Sequence, residues 1–374
     1  MRPIVYYYPS IRWDDTFPSR QHKLMAALSE LHPVVFLDSP HFTGSFLDMR
    51  KPRFKAITPN LTLIEEAFGW RQARLGRKLG KISAMQDGLW LKKLLAEHGI
   101  TEYIYWMSSP SPEMLVGMRT DRLVYDCIDP CFLESQQAAH DVAEREVAQQ
   151  AKLVFCTAES LQERLLKWNP KSVLLPNGCD PATNHPDKTT AIKRPDRLKD
   201  VDTPIIGFMG TFDWRIDSEI LAEAARRLPE YTFALPGRIN ADQKDKLTSL
   251  MSLPNVVMPG SVSEEDGQAY TAAFDVGLIP FRPGEMNDAI NPVKMFMYMI
   301  AGKPIVSTWV RECRRYAPYV TAAKDVDAFV EAIRRAVEDN SPEAAAQRVA
   351  FASKNSWHDR AVEALEQIKA AGLL

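Results

Sequence analysis

The chain has little of several features that mark specialised classes of protein. Its 374 residues show no excess of either charge, since 46 Lys and Arg stand against 48 Asp and Glu, a formal net charge of −2. Such a balance gives no sign of a nucleic-acid-binding protein. No stretch approaches the roughly 20 apolar residues of a membrane span, and the N-terminal MRPIVYYYPSIRWDD reaches charged residues too early for a signal peptide. We therefore expect a cytoplasmic protein, at most peripheral on the inner face of the cell membrane.

Cysteines are few and irregularly spaced. The five lie at positions 127, 131, 156, 179 and 313, and only Cys127 and Cys131 stand close together. A structural zinc site would need a second such pair. We expect reduced, mostly buried thiols and no metal held by them.

Common nucleotide-binding and catalytic signatures are also missing. GFMGTFDW (207–214) lacks the Gly-Lys-Ser/Thr of a P-loop, and no G-x-G-x-x-G fingerprint occurs. H-E-x-x-H, G-x-S-x-G and EF-hand spacings are absent as well. These absences argue against an NAD-dependent enzyme, a zincin and a serine hydrolase.

What the sequence does contain is an alternation of short apolar runs with helix-like segments. Runs such as IVYYYP (4–9), RLVYDCID (122–129) and PIIGFMG (204–210) predict strands. The alternation predicts α/β domains built on parallel, doubly wound sheets. The polar, proline-rich stretch 181–203 interrupts it and predicts a linker. We therefore predict one domain over 1–180 and a second that begins at 204, with ligands in the cleft beyond the carboxyl ends of the strands.

Several residues at the predicted strand ends of the second domain could bind a ligand. Gly210-Thr211 and Gly237-Arg238 end two strands and allow close approach of the backbone, although plain turns explain them equally well. In NPVKMFMYMI, Asn291 is a suitable N-cap and Pro292 a suitable first helical residue. Lys294 then lies in the first turn, where the helix dipole disfavours a cation. The lysine and the helix N-terminus would both interact favourably with one anion, so the pattern indicates a phosphate site. The alternative is a solvated lysine.

The first domain offers a carboxylate at a strand end. Asp126 and Asp129 flank the end of the predicted strand 122–129, where a carboxylate could deprotonate a hydroxyl or cap the next helix. Spacing alone leaves both open. Of the seven histidines, His22 and His41 lie near loops of the first domain and are the two candidates, although an ordinary surface or core role explains each more simply.

Three stretches together resemble GT-B fold glycosyltransferases. They are EREVAQQAKLVFCTAESL (144–161), LLPNGCD (174–180) and FDVGLIPFRPGEMNDAINPVK (274–294). Their likeness is to bacterial envelope-polysaccharide transferases of the teichuronic acid type and, more distantly, to the xanthan glucuronosyltransferase. The resemblance implies two Rossmann-like domains facing across a cleft, with the acceptor in the first and a nucleotide-sugar in the second, over 204–354. It also implies that the C-terminal helix, 355–374, packs back on the first domain.

The resemblance assigns roles to particular residues. Lys294 would contact the donor pyrophosphate or sugar, and Asp129 matches a catalytic base. The other residues that it places at the donor are Gly210, Thr211, Ser261, Val262, Asn291, Pro292 and Val293, with Arg238 added as a further cation. The acceptor would meet WDDTFPSRQHK (13–23), through Asp14, Arg20, Gln21 and His22. We expect no metal or other cofactor, and a UDP-sugar is the favoured donor.

The sequence departs from the family in one respect. Many retaining members carry two glutamates with seven residues between them, and the second binds the donor ribose. Here Ala289 and Met297 occupy those positions, while Glu285 matches a glutamate of the teichuronic-type motif at a different offset. Ribose recognition and the retaining or inverting outcome are therefore left open by the sequence. The departure also keeps a non-catalytic nucleotide-sugar-binding scaffold, or a GT-B sugar-nucleotide epimerase, as an alternative.

The segment 50–81 is basic and aromatic. Nine cations face only Glu65 and Glu66, with three large aromatic residues among them. The cations are Arg50, Lys51, Arg53, Lys55, Arg71, Arg74, Arg77, Lys78 and Lys81, and the aromatic residues are Phe54, Phe68 and Trp70. The segment could dock on an anionic membrane beside a lipid-linked acceptor, or be an ordinary solvated surface.

Overall fold

The computed structural model describes residues 1–8, 11–14, 18–38, 52–65, 77–189 and 192–374. The chain forms two compact units. Unit 1 comprises Met1–Pro176 and His358–Leu374, and unit 2 comprises Asn177–Trp357.

Unit 1 is built on an eight-stranded sheet in the order β3-β4-β2-β1-β5-β6-β7-β8. Every pairing is parallel except that of β3 with β4. The strands are β1 (Ile4–Tyr7), β2 (Val34–Leu37), β3 (Arg53–Thr58), β4 (Leu61–Glu65), β5 (Ile104–Met107), β6 (Leu123–Cys127), β7 (Leu153–Cys156) and β8 (Ser172–Leu174). The helices are α1 (Arg20–Leu31), α2 (Arg77–Glu97), α3 (Glu134–Gln150) and α4 (Glu159–Leu166), with 3-10 turns at Pro112–Leu115 and Thr120–Arg122.

The central strands of unit 1 are apolar on both faces. All four side chains of β1, β2, β5 and β7 are buried. This is the pattern of parallel strands that helices cover from either side. The edge strand β3 differs, since it is mostly exposed and polar, as expected for an edge that must avoid further pairing.

Unit 2 contains a six-stranded sheet in the order β11-β10-β9-β12-β13-β14, and all its pairings are parallel. The strands are β9 (Ile205–Gly207), β10 (Thr232–Ala234), β11 (Val256–Val257), β12 (Val276–Ile279), β13 (Ile305–Thr308) and β14 (Val320–Ala323). The helices are α5 (Pro181–Asn184), α6 (Pro186–Thr189), α7 (Ser218–Arg227), α8 (Thr248–Met251), α9 (Glu264–Ala273), α10 (Glu285–Asp288), α11 (Val293–Ile300), α12 (Arg311–Arg314), α13 (Val326–Glu338) and α14 (Pro342–Ser353). Three 3-10 turns complete the unit, at Asp196–Leu198, Ala241–Gln243 and Asp245–Leu247.

Both sheets carry helices in the connections between parallel strands, so the predicted α/β class with two Rossmann-like sheets is confirmed. The segment 181–203, for which the sequence predicts a linker, belongs to unit 2. Its described residues form α5, α6 and the 3-10 turn at Asp196–Leu198. Asp180 caps the first of these by accepting from the backbone of Ala182, so local capping gives structure to a stretch without apolar periodicity.

The chain ends in α15 (Trp357–Ala370). Trp357 is the last residue of unit 2, and the remainder of this helix belongs to unit 1. Within unit 1, His358 lies 3.2 Å from the carboxylate of Glu30 on α1. In the described part of the chain no helix is both long enough and apolar enough to cross a bilayer.

Candidate functional site

The carboxyl edge of the unit 2 sheet brings two glycines into direct contact. Gly210 follows β9 and Gly237 follows β10, and their loops extend the strand pairing through the Gly210 N–H to Pro236 and the Phe212 N–H to Arg238. A Cβ on Gly237 would lie 1.7 Å from the carbonyl oxygen of Gly210. Only glycine fits there, because real Cβ contacts are never so short. The edge is therefore lined by bare backbone, as phosphate groups require.

Lys294 reaches the same point from α11. A Cβ on Gly210 would lie 3.3 Å from the Lys294 Nζ, so the ammonium sits beside that glycine. The Nζ also lies 4.9 Å from the ring centres of both Phe208 and Phe281. Within the described ranges no carboxylate oxygen is within ion-pair distance of it. The structure thus brings together two residues that the sequence predicts at the donor phosphates, Gly210 and Lys294.

The surroundings of Lys294 disfavour its charge. Burial lowers the pKa of the ammonium to about 7, with a further lowering from the guanidinium of Arg215, while Asp213 and Cys313 act in the opposite direction. The lowered pKa indicates that the anions nearby do not fully stabilise the charge of this ammonium. An anion that bound beside Gly210 would supply a partner and restore the charge.

Asp213 and Arg215 are site residues that the sequence analysis missed. The guanidinium donates to both carboxylate oxygens, at 2.9 and 3.1 Å through Nε. Asp213 is buried; burial opposes its ionisation, but the Arg215 hydrogen bonds prevail and lower the pKa of its carboxyl. The available signal was their position, three and five residues after Gly210 at a predicted strand end. The pair places a second cation near Lys294.

Asn291 does not cap α11, and this expectation was wrong. The N-cap is Pro292, and the helix begins at Val293. The Asn291 side chain instead accepts from the backbone N–H of Asn177 at 2.9 Å and donates to Glu312 at 3.0 Å. Both partners are buried within unit 2. The amide of Asn291 therefore links two buried residues instead of capping the helix. Lys294 is still in the first turn of α11.

The remaining residues predicted at the donor are spread along the same edge. Thr211 and Met297 are half-buried, and Arg238 and Ser261 are exposed. Val262 packs against the hydrophobic core of unit 2. The structure places Arg238 beside Gly237, with no ion pair to the described residues.

Asp129 lies at the carboxyl edge of the unit 1 sheet, two residues after β6. Thr157 holds this loop, since its N–H and its hydroxyl donate to the carbonyls of Cys127 and Ile128. Asp129 is exposed. Its charge, after the larger effect of burial, helps to raise the pKa of the Tyr8 phenol that follows β1. An exposed carboxylate on an anchored loop has the freedom of access that a general base needs.

Asp126, the other carboxylate of this strand, has a structural role. It is buried and accepts from Arg20, at 3.2 Å between Oδ1 and Nη2. Arg20 also donates to the carbonyl of Pro176 at 3.0 Å. These contacts use the guanidinium that the resemblance places at an acceptor sugar. Arg20 is itself buried.

Gln21 and His22 are likewise buried at the start of α1. Ser19 donates to His22 Nδ1 from its backbone at 3.1 Å and to Gln21 Oε1 from its hydroxyl at 2.6 Å. His22 Nε2 then donates to the carbonyl of Arg12 at 2.6 Å. Both side chains therefore stabilise the helix start, and of the four predicted acceptor residues Asp14 is the exposed one. It pairs with Arg12 at 2.6 Å.

Asp38, directly after β2, is a second carboxylate that the sequence analysis missed. It is buried and accepts from the backbone N–H of Trp13 at 2.7 Å. Burial raises the pKa of its carboxyl. It anchors the segment that carries Asp14.

Possible metal ligands are engaged with protein groups. Asp325 caps α13 through the N–H of Ala328, and Asp327 pairs with Arg227. His140, Asp141 and Glu144 lie close together on α3. Glu144, however, is buried and already receives hydrogen bonds from Tyr125, Cys127 and Arg164. The guanidinium of Arg164, 2.8 Å from the second carboxylate oxygen, supplies the compensating charge.

Part of the basic segment, including most of its cationic side chains, lies outside the described residues. This holds for Arg50, Lys51, Arg71, Arg74, Phe68, Trp70 and Glu66, for His41, and for the side chains of Arg77, Lys78 and Lys81. Arg53 and Lys55 are described, and both pair with Glu65, at 3.1 and 3.4 Å. Phe54 stacks on His98 with ring centres 3.7 Å apart.

Part of unit 2 is similar to a known sequence family. Residues 203–339 match the model for Glycosyl transferases group 1. The chain is also 26% identical over 220 residues to TuaH of Bacillus subtilis (strain 168), a protein named as a candidate teichuronic acid biosynthesis glycosyltransferase. That match covers 54% of each protein, so the chain spans about half the length of this curated relative.

Solved structures agree over nearly the whole chain. Sucrose-phosphate synthase from Thermosynechococcus elongatus superposes with a TM-score of 0.74 at 17% identity and covers 99% of both chains. HepE from Anabaena, crystallised with UDP and glucose, gives 0.70 at 14% identity over 99% of this chain and 100% of its own. A UDP-forming trehalose-phosphate synthase from Burkholderia xenovorans, with glucose-6-phosphate, gives 0.73 at 12% over 99% and 100%. The predicted GT-B fold is thereby confirmed, and residues 203–339 are similar to the group 1 glycosyl transferases.

Proposed function

We propose that the protein transfers a sugar from a nucleotide diphosphate to a saccharide acceptor during bacterial surface-polysaccharide synthesis. The observation that carries the proposal is the position of the Lys294 ammonium beside Gly210, at the carboxyl edge of a group 1 glycosyl transferase domain. A half-buried cation that no described carboxylate pairs with, next to bare backbone and the first turn of a helix, suits a diphosphate. The solved relatives that bind UDP and glucose favour a UDP-sugar as donor.

The donor diphosphate would be held by unit 2. Lys294 and Arg215 supply positive charge, the loop after Gly210 supplies the backbone N–H of Thr211, and α11 directs its N-terminus toward the same point. As the bond between the anomeric carbon and the diphosphate oxygen breaks, these groups stabilise the negative charge that collects on the leaving group. The reaction would then need no metal, and activity should persist in a chelator.

Asp129 of unit 1 would act as the base. Its carboxylate takes the proton from the acceptor hydroxyl, the hydroxyl oxygen forms a bond to the anomeric carbon, and the nucleoside diphosphate departs with the bonding electrons. A single displacement of this kind inverts the anomeric configuration. The loop that Thr157 anchors keeps the carboxylate in place.

Asp129→Asn tests this assignment. The rate of transfer should fall by about 100-fold or more in the variant, as is typical for loss of a general base. Its affinity for the donor should stay unchanged. Asp121→Asn, which removes an exposed carboxylate elsewhere in unit 1, serves as the control and should keep full activity. Retained turnover in Asp129→Asn would remove the base from the proposal without affecting the donor site.

The alternative is a non-catalytic nucleotide-sugar-binding scaffold, which the absence of a glutamate at position 297 favours. Slow hydrolysis of the bound donor distinguishes the two, because a site that activates the anomeric carbon releases the nucleotide to water as well. Release of UDP from a UDP-sugar that depends on Asp129 or Lys294 supports the enzyme. Binding without any release supports the scaffold.

We further propose that unit 1 docks on an anionic membrane, where a lipid-linked acceptor would be found. The sequence of 50–81 is basic, and the adjoining part of α2 exposes Ile82 by 50% and Leu89 by 47%, with Met85 between them. These positions, three and four residues apart, share one face of the helix. Lys92 and Lys93 follow and are also exposed.

Vesicle sedimentation tests the docking. Binding to vesicles that contain anionic lipid should fall when the cations of 71–81 are replaced by Gln, or when Ile82 and Leu89 are replaced by Ser. Vesicles of neutral lipid should bind the wild type weakly, since each nearby cation contributes about 1 kcal/mol on an anionic surface. Sedimentation unchanged in both variants would refute the docking and leave the donor site untouched.

A further inference from the structure

Trp309 stands at a second point on the carboxyl edge of the unit 2 sheet. It directly follows β13, and Lys324 directly follows β14. The two strands pair in parallel, with Thr308 opposite Ala323, so both residues leave the sheet at the same level. The side chain of Trp309 is 36% exposed, so a ligand can reach the indole.

Two cations converge on the indole of Trp309. The guanidinium carbon of Arg314, at the end of α12, lies 4.9 Å from the ring centre, and the Lys324 Nζ lies 4.8 Å from it. Both cationic residues are exposed. A single cation over an indole is a favourable contact, but a second one at the same ring adds repulsion between like charges.

The nearby carboxylates do not neutralise this pair of charges. Glu312 accepts from Arg315 at 2.8 Å and from Asn291 at 3.0 Å. Asp325 caps α13 through the N–H of Ala328. No described carboxylate lies within ion-pair distance of Arg314 or Lys324. The arrangement is therefore a concentration of positive charge around an aromatic ring.

This cluster is joined to the donor site. Cys313, which precedes Arg314, is close enough to affect the pKa of Lys294. The Asn291 side chain, three residues before Lys294, bonds to Glu312 of the same helix. A ligand whose phosphates lie at Lys294 would extend along an edge that also carries Trp309.

We propose that Arg314, Lys324 and Trp309 form a subsite for the negatively charged group of an acidic sugar. The planar guanidinium can bind a carboxylate or phosphate through two parallel hydrogen bonds, and the ammonium supplies a second, more flexible contact. The indole keeps water from one side of the pair and offers an apolar surface to the sugar ring. The subsite rests on the proposed function, because it takes the ligand to be part of a donor or acceptor sugar.

Binding calorimetry with two matched donors tests the proposal. UDP-glucose and UDP-glucuronic acid differ only at C6 of the sugar, which is a hydroxymethyl group in the first and a carboxylate in the second. The wild type should therefore bind the acid about tenfold or more tightly, as expected for a charge-assisted contact. The double variant Arg314→Gln, Lys324→Gln should lose this preference and keep its affinity for UDP-glucose. Lys246→Gln with Lys354→Gln, which removes two exposed charges elsewhere in unit 2, should keep the preference.

A second arm covers an acidic acceptor. Methyl glucuronide, added to the protein with and without UDP and followed by ligand-observed NMR, should bind the wild type and not the double variant, while methyl glucoside should bind both alike. A preference in either arm that the double variant abolishes supports the subsite and shows whether donor or acceptor carries the charge. No preference in either arm, or one that survives in the double variant, overturns it. Failure to bind any nucleotide would instead count against the proposed function, and the glucuronide arm would still test the subsite.

Discussion

Replacement of Lys294 by Met should stabilise the fold near neutral pH. The substitution keeps the length of the side chain and removes an ammonium whose pKa burial lowers to about 7 in the folded protein. In the unfolded chain a lysine titrates near about 10.4. Between these values the unfolded chain binds a proton that the folded chain does not, so Lys294 favours unfolding there.

The magnitude follows from the two pKa values. Each full pH unit within the window changes the free energy of unfolding by about 1.4 kcal/mol. Because the folded lysine is still half-protonated at pH ~7, the destabilisation by Lys294 falls by less than twice that amount, about 2 kcal/mol, from pH ~7 to pH ~9. Below about pH 7 both states bind the proton and the effect is constant. Water that reaches the half-buried side chain reduces the figure but not its sign.

Urea unfolding of the wild type and Lys294→Met at several pH values measures this effect. The variant should be the more stable protein at about pH 7, and the two should approach each other as the pH rises toward about 10. Lys246→Met, an exposed lysine of the same unit, should run parallel to the wild type. If the free energies of unfolding of the wild type and Lys294→Met differed by a constant amount across this range, the claim that burial lowers the pKa of Lys294 would be refuted.

Three further predictions concern the site. Gly237→Ala should destabilise unit 2 and weaken nucleotide binding, because its Cβ would lie 1.7 Å from the Gly210 oxygen; thermal unfolding and calorimetry would show this, and an unchanged Tm would contradict it. Arg20→Met should cost about 3–5 kcal/mol, since it leaves the buried Asp126 without its partner; a loss below about 1 kcal/mol in urea unfolding would show that the pair is dispensable. Wild-type affinity for a nucleotide diphosphate should fall by up to about tenfold per pH unit above about pH 7, because binding recharges Lys294; a pH-independent Kd would argue that no proton is taken up.

The features of the fold that depend on short-range pattern could be predicted from the sequence. Buried runs such as IVYY and VVFL, bounded by helix-like segments, identify strands of parallel sheets. The stretch 181–203 was harder, because its short helices depend on a local cap at Asp180 and on proline rather than on apolar periodicity. Composition alone cannot separate such a segment from a linker.

The candidate site was partly predictable. Lys294 can be recognised in the sequence, because it is a cation in the first turn of an apolar helix, where the helix dipole disfavours positive charge. The structure places it beside Gly210. Asn291 was assigned as a cap because sequence shows residue type and spacing only. Its actual partners, Asn177 and Glu312, are 114 and 21 residues away, and such long-range contacts leave no mark on local pattern.

The buried polar residues of unit 1 illustrate the same limit. Arg20 and His22 follow a strand and looked like ligands for a sugar, but one pairs with Asp126 and the other with Ser19 and Arg12. The sequence analysis did not identify Asp213 and Arg215, because neither belongs to a named motif. Their importance follows from the burial of Asp213 and from the proximity of both to Lys294.

Calorimetric titration of UDP-glucose, UDP-glucuronic acid and the corresponding GDP-sugars into the wild type and Lys294→Met tests the central claim most directly. The account predicts that one nucleotide family binds the wild type, and that the variant, although more stable, binds it about tenfold or more weakly through loss of a charge-assisted contact. Equal affinity in the two proteins would contradict the placement of the diphosphate at Lys294. Absence of binding by every nucleotide sugar would contradict the proposed donor site itself.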